Sequence, residues 1–175
     1  PVKPAVLTLP TGNEKWLPAA EVRGEGIFVE LDAEAVKAWE ARPAVRQRAE
    51  QLLRAYEADD SGGEFPGIRF YMLHSLSHLL LTAVSLECGY AASAIRERIY
   101  CAPPTDPLPM AAILLSTGST GTEGTLGGLL SQGRVLSSHL RRAHDLAVLC
   151  SNDPVCAAHD PARDPTGRHL EGAAC

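Results

Sequence analysis

Three cysteines near the C-terminal end form the clearest chemical pattern in the chain: Cys150-Ser-Asn-Asp-Pro-Val-Cys156, and then Cys175. An Asp-Pro turn separates the first two thiols, and a loop rich in Gly, Pro and Asp leads to the third. A turn that presents two sulfurs, joined by a polar loop to further thiols, assembles a tetrahedral thiolate site without a large local core. Structural zinc takes four ligands and three are visible, so the fourth is either His159 or His169 or a residue beyond Cys175. The competing reading is a scatter of free cysteines, because a five-residue gap is less specific than Cys-x-x-Cys. Cys88 and Cys101 complete an odd, unevenly spaced set of five cysteines, which does not suggest the paired framework of a small secreted domain.

Two other groups could do chemistry. His74 and His78 stand four apart in an apolar run, which puts both imidazoles on one face of a helix, as in helical metal sites. Ser75 occupies the position where a zincin carries its Glu, so the favoured reading is two histidines hydrogen-bonded within a helical core. Glu87, at the end of the same helix, can pair with one of them or with Arg96. The alternative is a phosphodiesterase-like or other hydrolytic site built from His74, His78 and Glu87. Phospholipase-D-like nucleases need a Lys two residues after each catalytic His, and Leu76 and Leu80 stand there instead. The stretch Gly118-Ser-Thr-Gly-Thr-Glu-Gly-Thr-Leu-Gly-Gly128 follows an expected strand and precedes a helix, where backbone N–H groups can cradle a phosphate. It lacks the Gly-Lys-Ser/Thr ending of a nucleotide loop and carries Glu123, so a tight structural turn is favoured. No Ser/His/Asp or Cys/His order stands out as a nucleophilic site.

The elements that must position these groups can be read along the chain. At 175 residues, 45% hydrophobic and 21% charged, it has enough apolar material for one domain with a small appendage. A formal net charge of −5 argues against this piece being the main surface that grips phosphates. Residues 1–15 read as an extended linker, 16–149 as a helix-rich core and 150–175 as the cysteine segment. Ile27 to Leu31 has the content of a short strand, and Asp32 then caps a helix with Leu31 and Val36 as its hydrophobic staple. Pro43 interrupts that helix, and Val45, Ala49, Leu52, Leu53 and Tyr56 resume the stripe on a second one. Asp59 to Gly63 is a loop. Ile68 to Leu86 is apolar on nearly all faces, as suits a central helix, and its polar residues argue against a bilayer span. Gly89 ends it, and a shorter helix is expected over Ala91 to Ile99 with Arg96, Glu97 and Arg98 on its outer side. After the Pro-rich stretch 103–109, Met110 to Leu115 reads as a buried strand, and the last helix presents Leu136, Leu140, Ala143 and Ala147 on one face. The fold class expected is α+β, mixed and helix-dominated, with a C-terminal zinc-binding loop region.

Four segments occur in one order: Leu73-His-Ser-Leu-Ser-His78, Glu87-Cys-Gly-Tyr-Ala-Ala-Ser-Ala-Ile-Arg-Glu-Arg-Ile-Tyr100, Glu123-Gly-Thr-Leu-Gly-Gly-Leu129 and Cys150-Ser-Asn-Asp-Pro-Val-Cys156. In that order the chain resembles, from about Trp16 to Cys175, the zinc-binding domain of MrfA-type helicases. Glu21-Val-Arg-Gly-Glu-Gly-Ile-Phe28 looks like the DrmB-type branch found in bacterial DISARM anti-phage systems. The resemblance implies a four-thiolate zinc site in which Cys150, Cys156 and Cys175 match three ligands and the fourth falls three positions after Cys175. It further implies zinc as the cofactor and a superfamily-two helicase as partner, in the same chain or as a separate subunit. DNA would be contacted indirectly or weakly, in the cytoplasm and away from any membrane. It implies no enzymatic activity of the domain itself. The first residue, Pro1, and the last, Cys175, lead to the expectation that the chain is a piece of a larger nucleic-acid-processing protein.

Overall fold

The computed structural model describes residues 24–58, 65–102, 106, 109–117, 127–149, 156 and 158–161. Its elements run β1 (Gly26–Glu30), α1 (Ala33–Glu40), α2 (Pro43–Ala58), α3 (Ile68–Cys88), a 3-10 turn (Ala92–Ala94), β2 (Ile95–Ala102), β3 (Met110–Thr117), α4 (Gly128–Gln132), a second 3-10 turn (Gly133–Val135) and α5 (Leu136–Ala147). The class is mixed α+β, as expected. The expected linker over 1–15, the loop at 59–63 and most of the 118–128 and 150–175 segments lie outside the described residues.

Three strands form one antiparallel sheet in the order β1-β3-β2, with β3 in the middle. The apolar run Met110–Thr117 takes the central place because it can be buried on both sides: Ala112, Ile113 and Leu115 are at most 1% exposed. Ile27 pairs with Leu115, Val29 with Ile113, Glu97 with Leu115 and Ile99 with Ile113. Residues directly opposite in an antiparallel pair share a face. Ile27, Val29, Ile113, Leu115, Ile95, Glu97 and Ile99 therefore point together, towards α3. Leu73, Leu80 and Val84 of that helix close the core against them and are 0% exposed.

The ends of the helices follow from local chemistry. Asp32 caps α1, its carboxylate accepting from the N–H of Ala35 at 2.8 Å. Val36 is buried in the core and Leu31 packs against it, so the expected staple is in place. Pro43 begins α2. Gly89 ends α3 in the left-handed region at φ 76°, where a side chain would be strained. Among the described residues no helix is long and apolar enough to cross a membrane.

Two expectations need correction. The segment 91–99 is no helix: a 3-10 turn at Ala92–Ala94 leads directly into strand β2. Ile95, Ile99 and Cys101 alternate with Arg96, Arg98 and Tyr100, and pairing with β3 decides in favour of that period. On α5, the buried residues are His139 and Ala143, whereas Leu140 and Ala147 are exposed. The helix is rotated so that His139, 1% exposed, reaches the side-chain oxygen of Gln132 through Nε2 at 2.9 Å.

Candidate metal centre

His74 and His78 sit one turn apart on α3, on the side that faces β2. Their rings are perpendicular, with centroids 4.6 Å apart and an interplanar angle of 85°. Phe70, one turn before His74, stacks on its ring at 5.7 Å and 28°. The buried Nδ1 of His74 has no hydrogen-bond partner among the described residues, so the ring is held on that side by packing alone. Burial holds the His74 imidazolium below its ordinary pKa, and the neighbouring His78 adds to this against the opposing pull of Glu97. A neutral imidazole is the form that can ligate a metal.

The third member comes from the sheet. Oε1 of Glu97 lies 3.2 Å from Nε2 of His78 and 3.6 Å from Nε2 of His74, and the two Nε2 atoms are 3.0 Å apart. These three atoms all fall within 4.8 Å of one another. Ser77, fully buried between the two histidines in sequence, sets its hydroxyl against Oε2 of Glu97 and 2.7 Å from the His74 carbonyl. One carboxylate oxygen is thus occupied and the other faces the imidazoles.

The favoured sequence reading, a pair of core histidines satisfied by hydrogen bonds, does not hold for His78, whose side chain is 47% exposed. The alternative grouping with Glu87 does not form either. Glu87 pairs with Arg142 of α5 at 3.3 Å, rather than with a histidine or Arg96. Glu97 takes the carboxylate role, and the helix expected over 91–99 had hidden it by placing it on an outer face. The signal that finds it is the strand period of Ile95, Ile99 and Cys101, which puts residue 97 on their side.

Of the three cysteines proposed as ligands, Cys156 is described and is half-buried, while Cys150 and Cys175 lie outside the described residues, as does His169. The carbonyl of Cys156 accepts from the N–H of His159 at 3.2 Å, closing a turn. Arg48 of α2 holds that turn, donating to the His159 carbonyl at 3.4 Å and lying 3.2 Å from its Nδ1. The other two described cysteines belong to the core: Cys88 is buried, and burial pushes the Cys101 thiol above its ordinary pKa despite the nearby Arg69.

The model of the MrfA Zn-binding domain matches residues 76–175 of this chain. The chain belongs to that family. It is also 41% identical over 172 residues to the DISARM protein DrmB of Bacillus paralicheniformis, an alignment covering 94% of this chain. The chain spans 29% of the length of that relative. Zinc is the metal that the MrfA Zn-binding domain family implies, and the residues present suit it. Borderline-soft zinc binds imidazole nitrogen and carboxylate oxygen, and among the described residues His74, His78 and Glu97 bring such donors within 4.8 Å of one another.

Proposed function

We propose that this chain is a non-catalytic zinc-binding accessory domain of a DrmB-like anti-phage defence protein. The observation that carries the reading is the 41% identity to DISARM protein DrmB across 94% of the chain. In this reading residues 16–149 form the core and 150–175 form a zinc segment in which Cys150, Cys156 and Cys175 are thiolate ligands. The Arg48 contacts to His159 support it by docking the turn that carries Cys156 onto α2. Zinc bound there adds its binding free energy to the stability of a segment too short and polar to build its own core. The domain works in the cytoplasm with a superfamily-two helicase, in the same chain or as a separate subunit, and helps it engage DNA. A net charge of −5 fits indirect or weak DNA contact, with the helicase supplying the basic surface. The hydrolytic grouping of His74, His78 and Glu87 is not supported, because Glu87 is bound to Arg142 instead.

Metal analysis of the natural full-length protein tests the zinc, and helicase unwinding with and without the protein tests the partnership. One zinc equivalent lost in the Cys150→Ser/Cys156→Ser variant, together with stimulated unwinding by the wild type, is the expected result. Unchanged zinc in that variant, or unwinding indifferent to the protein, refutes the corresponding half. Metal-dependent DNA cleavage abolished by His74→Ala would refute the non-catalytic assignment.

A further inference from the structure

The geometry points to a second metal site at the junction of α3 and β2, in which Nε2 of His74, Nε2 of His78 and Oε1 of Glu97 bind one divalent transition-metal ion. The ligand atoms are spaced as an ion would space them. Donors held about 2.0–2.1 Å from a tetrahedral zinc lie roughly 3.3 Å from one another. The three separations here are 3.0, 3.2 and 3.6 Å. They describe one triangular face of such a tetrahedron.

Hydrogen bonding alone does not account for this convergence. Each neutral imidazole has one N–H, and a proton shared between nitrogens 3.0 Å apart is not also well placed for the carboxylate. The His74–Glu97 separation of 3.6 Å is too long for a hydrogen bond. A proton therefore satisfies one edge of the triangle, whereas a cation satisfies all three donors at once. The surroundings are those of a ligand set as well. The buried Ser77 hydroxyl engages Oε2 of Glu97, leaving Oε1 to serve as a single-oxygen ligand, and Phe70 fixes the His74 ring. The ligands stand on two elements packed across the core, so the distances are set by the fold rather than by loops.

The site differs in kind from a closed four-thiolate centre. Two imidazoles and one carboxylate leave a coordination position open, as in sites that keep a water. The side chains of His74, Glu97 and His78 are 18%, 26% and 47% exposed, so the cluster opens to solvent on the His78 side. That position takes water or a small anionic oxygen donor. Ser77 is a positioning residue for Glu97.

The test uses the natural full-length protein, stripped with a chelator and reloaded with zinc or cobalt(II), as wild type, His78→Ala, Glu97→Gln, Ser77→Ala and Cys150→Ser/Cys156→Ser. Metal content and the cobalt absorption spectrum are read, with far-UV circular dichroism reporting the fold. The wild type should hold one more metal equivalent than His78→Ala or Glu97→Gln, and Ser77→Ala should bind that equivalent roughly 10–100-fold more weakly. The cysteine variant should keep it, with cobalt d–d bands and no thiolate charge-transfer absorption. Glu97→Gln keeps the side-chain shape and decides the matter if His78→Ala fails to fold. Wild-type metal content and cobalt spectrum in Glu97→Gln overturn the proposal. Metal lost from the cysteine variant alone also overturns it while leaving the thiolate site standing. Metal lost from the His78 and Glu97 variants alone confirms it and refutes the thiolate site instead.

Discussion

Arg69 sits in the first turn of α3, where a cation meets the positive end of the helix dipole, and its side chain is turned back into the protein. It is 8% exposed. Its Nε and one terminal nitrogen donate to the two oxygens of Glu40 at 2.9 Å each, and the other terminal nitrogen donates to the Ala102 carbonyl at 2.9 Å. One guanidinium thus joins the end of α1, the start of α3 and the end of β2. Arg69→Met keeps most of the aliphatic stem and removes all three donors. Removing one partner of a fully buried pair costs about 3–5 kcal/mol. The Glu40 side chain is 26% exposed and water can reach the carboxylate left behind, so the expected cost is lower, about 2–3 kcal/mol. For a chain of this size that is a fall in Tm of roughly 5–10 °C. Urea unfolding of wild type, Arg69→Met, Glu40→Gln and the double variant measures both the cost and the coupling, expected at about 1 kcal/mol or more. A coupling below about 0.5 kcal/mol, or an Arg69→Met variant as stable as wild type, would show that the three elements are held by packing alone.

Glu25 makes a second such junction, accepting from the Leu130 N–H at 2.9 Å and the Tyr90 hydroxyl at 2.7 Å. Burial alone would raise its pKa, but these hydrogen bonds, with the N–H groups of Leu129 and Gly127, outweigh it and the carboxyl titrates below its ordinary value. The folded chain thus binds this proton more weakly than the unfolded one. The stabilisation is complete above the ordinary carboxylate pKa and is lost as pH falls through the depressed folded value. Glu25→Gln should cost about 1–2 kcal/mol at neutral pH in urea unfolding, and the gap to wild type should close in acid; a gap independent of pH contradicts the assignment. Leu80→Ala empties a fully buried position between α3 and the sheet and should cost about 2–5 kcal/mol in the same assay, with a loss under 1 kcal/mol counting against the packing described. Gly89→Ala meets no atom within 4 Å, so its cost should be the backbone term alone, about 1–2 kcal/mol from forcing a side chain to φ 76°.

Where a local rule and the tertiary requirement agree, the sequence is a sufficient guide. The Asp32 cap, the Pro43 start of α2, the long α3 closed by Gly89 and the apolar β3 each rest on chemistry internal to a few residues. The orientation of α5 does not. A stripe through Leu136, Leu140, Ala143 and Ala147 is the more apolar choice, yet His139 is buried because Gln132 supplies its partner from the preceding short helix. That contact depends on the turn between α4 and α5, which periodicity within α5 cannot report. The order of the strands is likewise decided by pairing across 80 or so residues rather than by anything local.

The misreading of 91–99 and the missing member of the His74–His78 cluster are one event with one cause. Had residue 97 been apolar, Ile95, Ile99 and Cys101 would have completed an unbroken alternation and declared a half-buried strand. A carboxylate at the centre of that face breaks the pattern and makes Arg96-Glu97-Arg98 look like the charged outside of a helix. It is tolerated on the inner face because Ser77 and two imidazoles of α3 meet it there. A fold that places Glu97 inward sacrifices local consistency, and such violations concentrate at functional positions. Glu97→Leu separates the two demands. It restores the strand alternation and should leave β2 paired, with no loss of stability to urea in the absence of metal, while abolishing metal uptake at the His74–His78 face. A variant that instead loses the sheet would mean that Glu97 serves the fold through Ser77, and that the alternation was broken for structure alone.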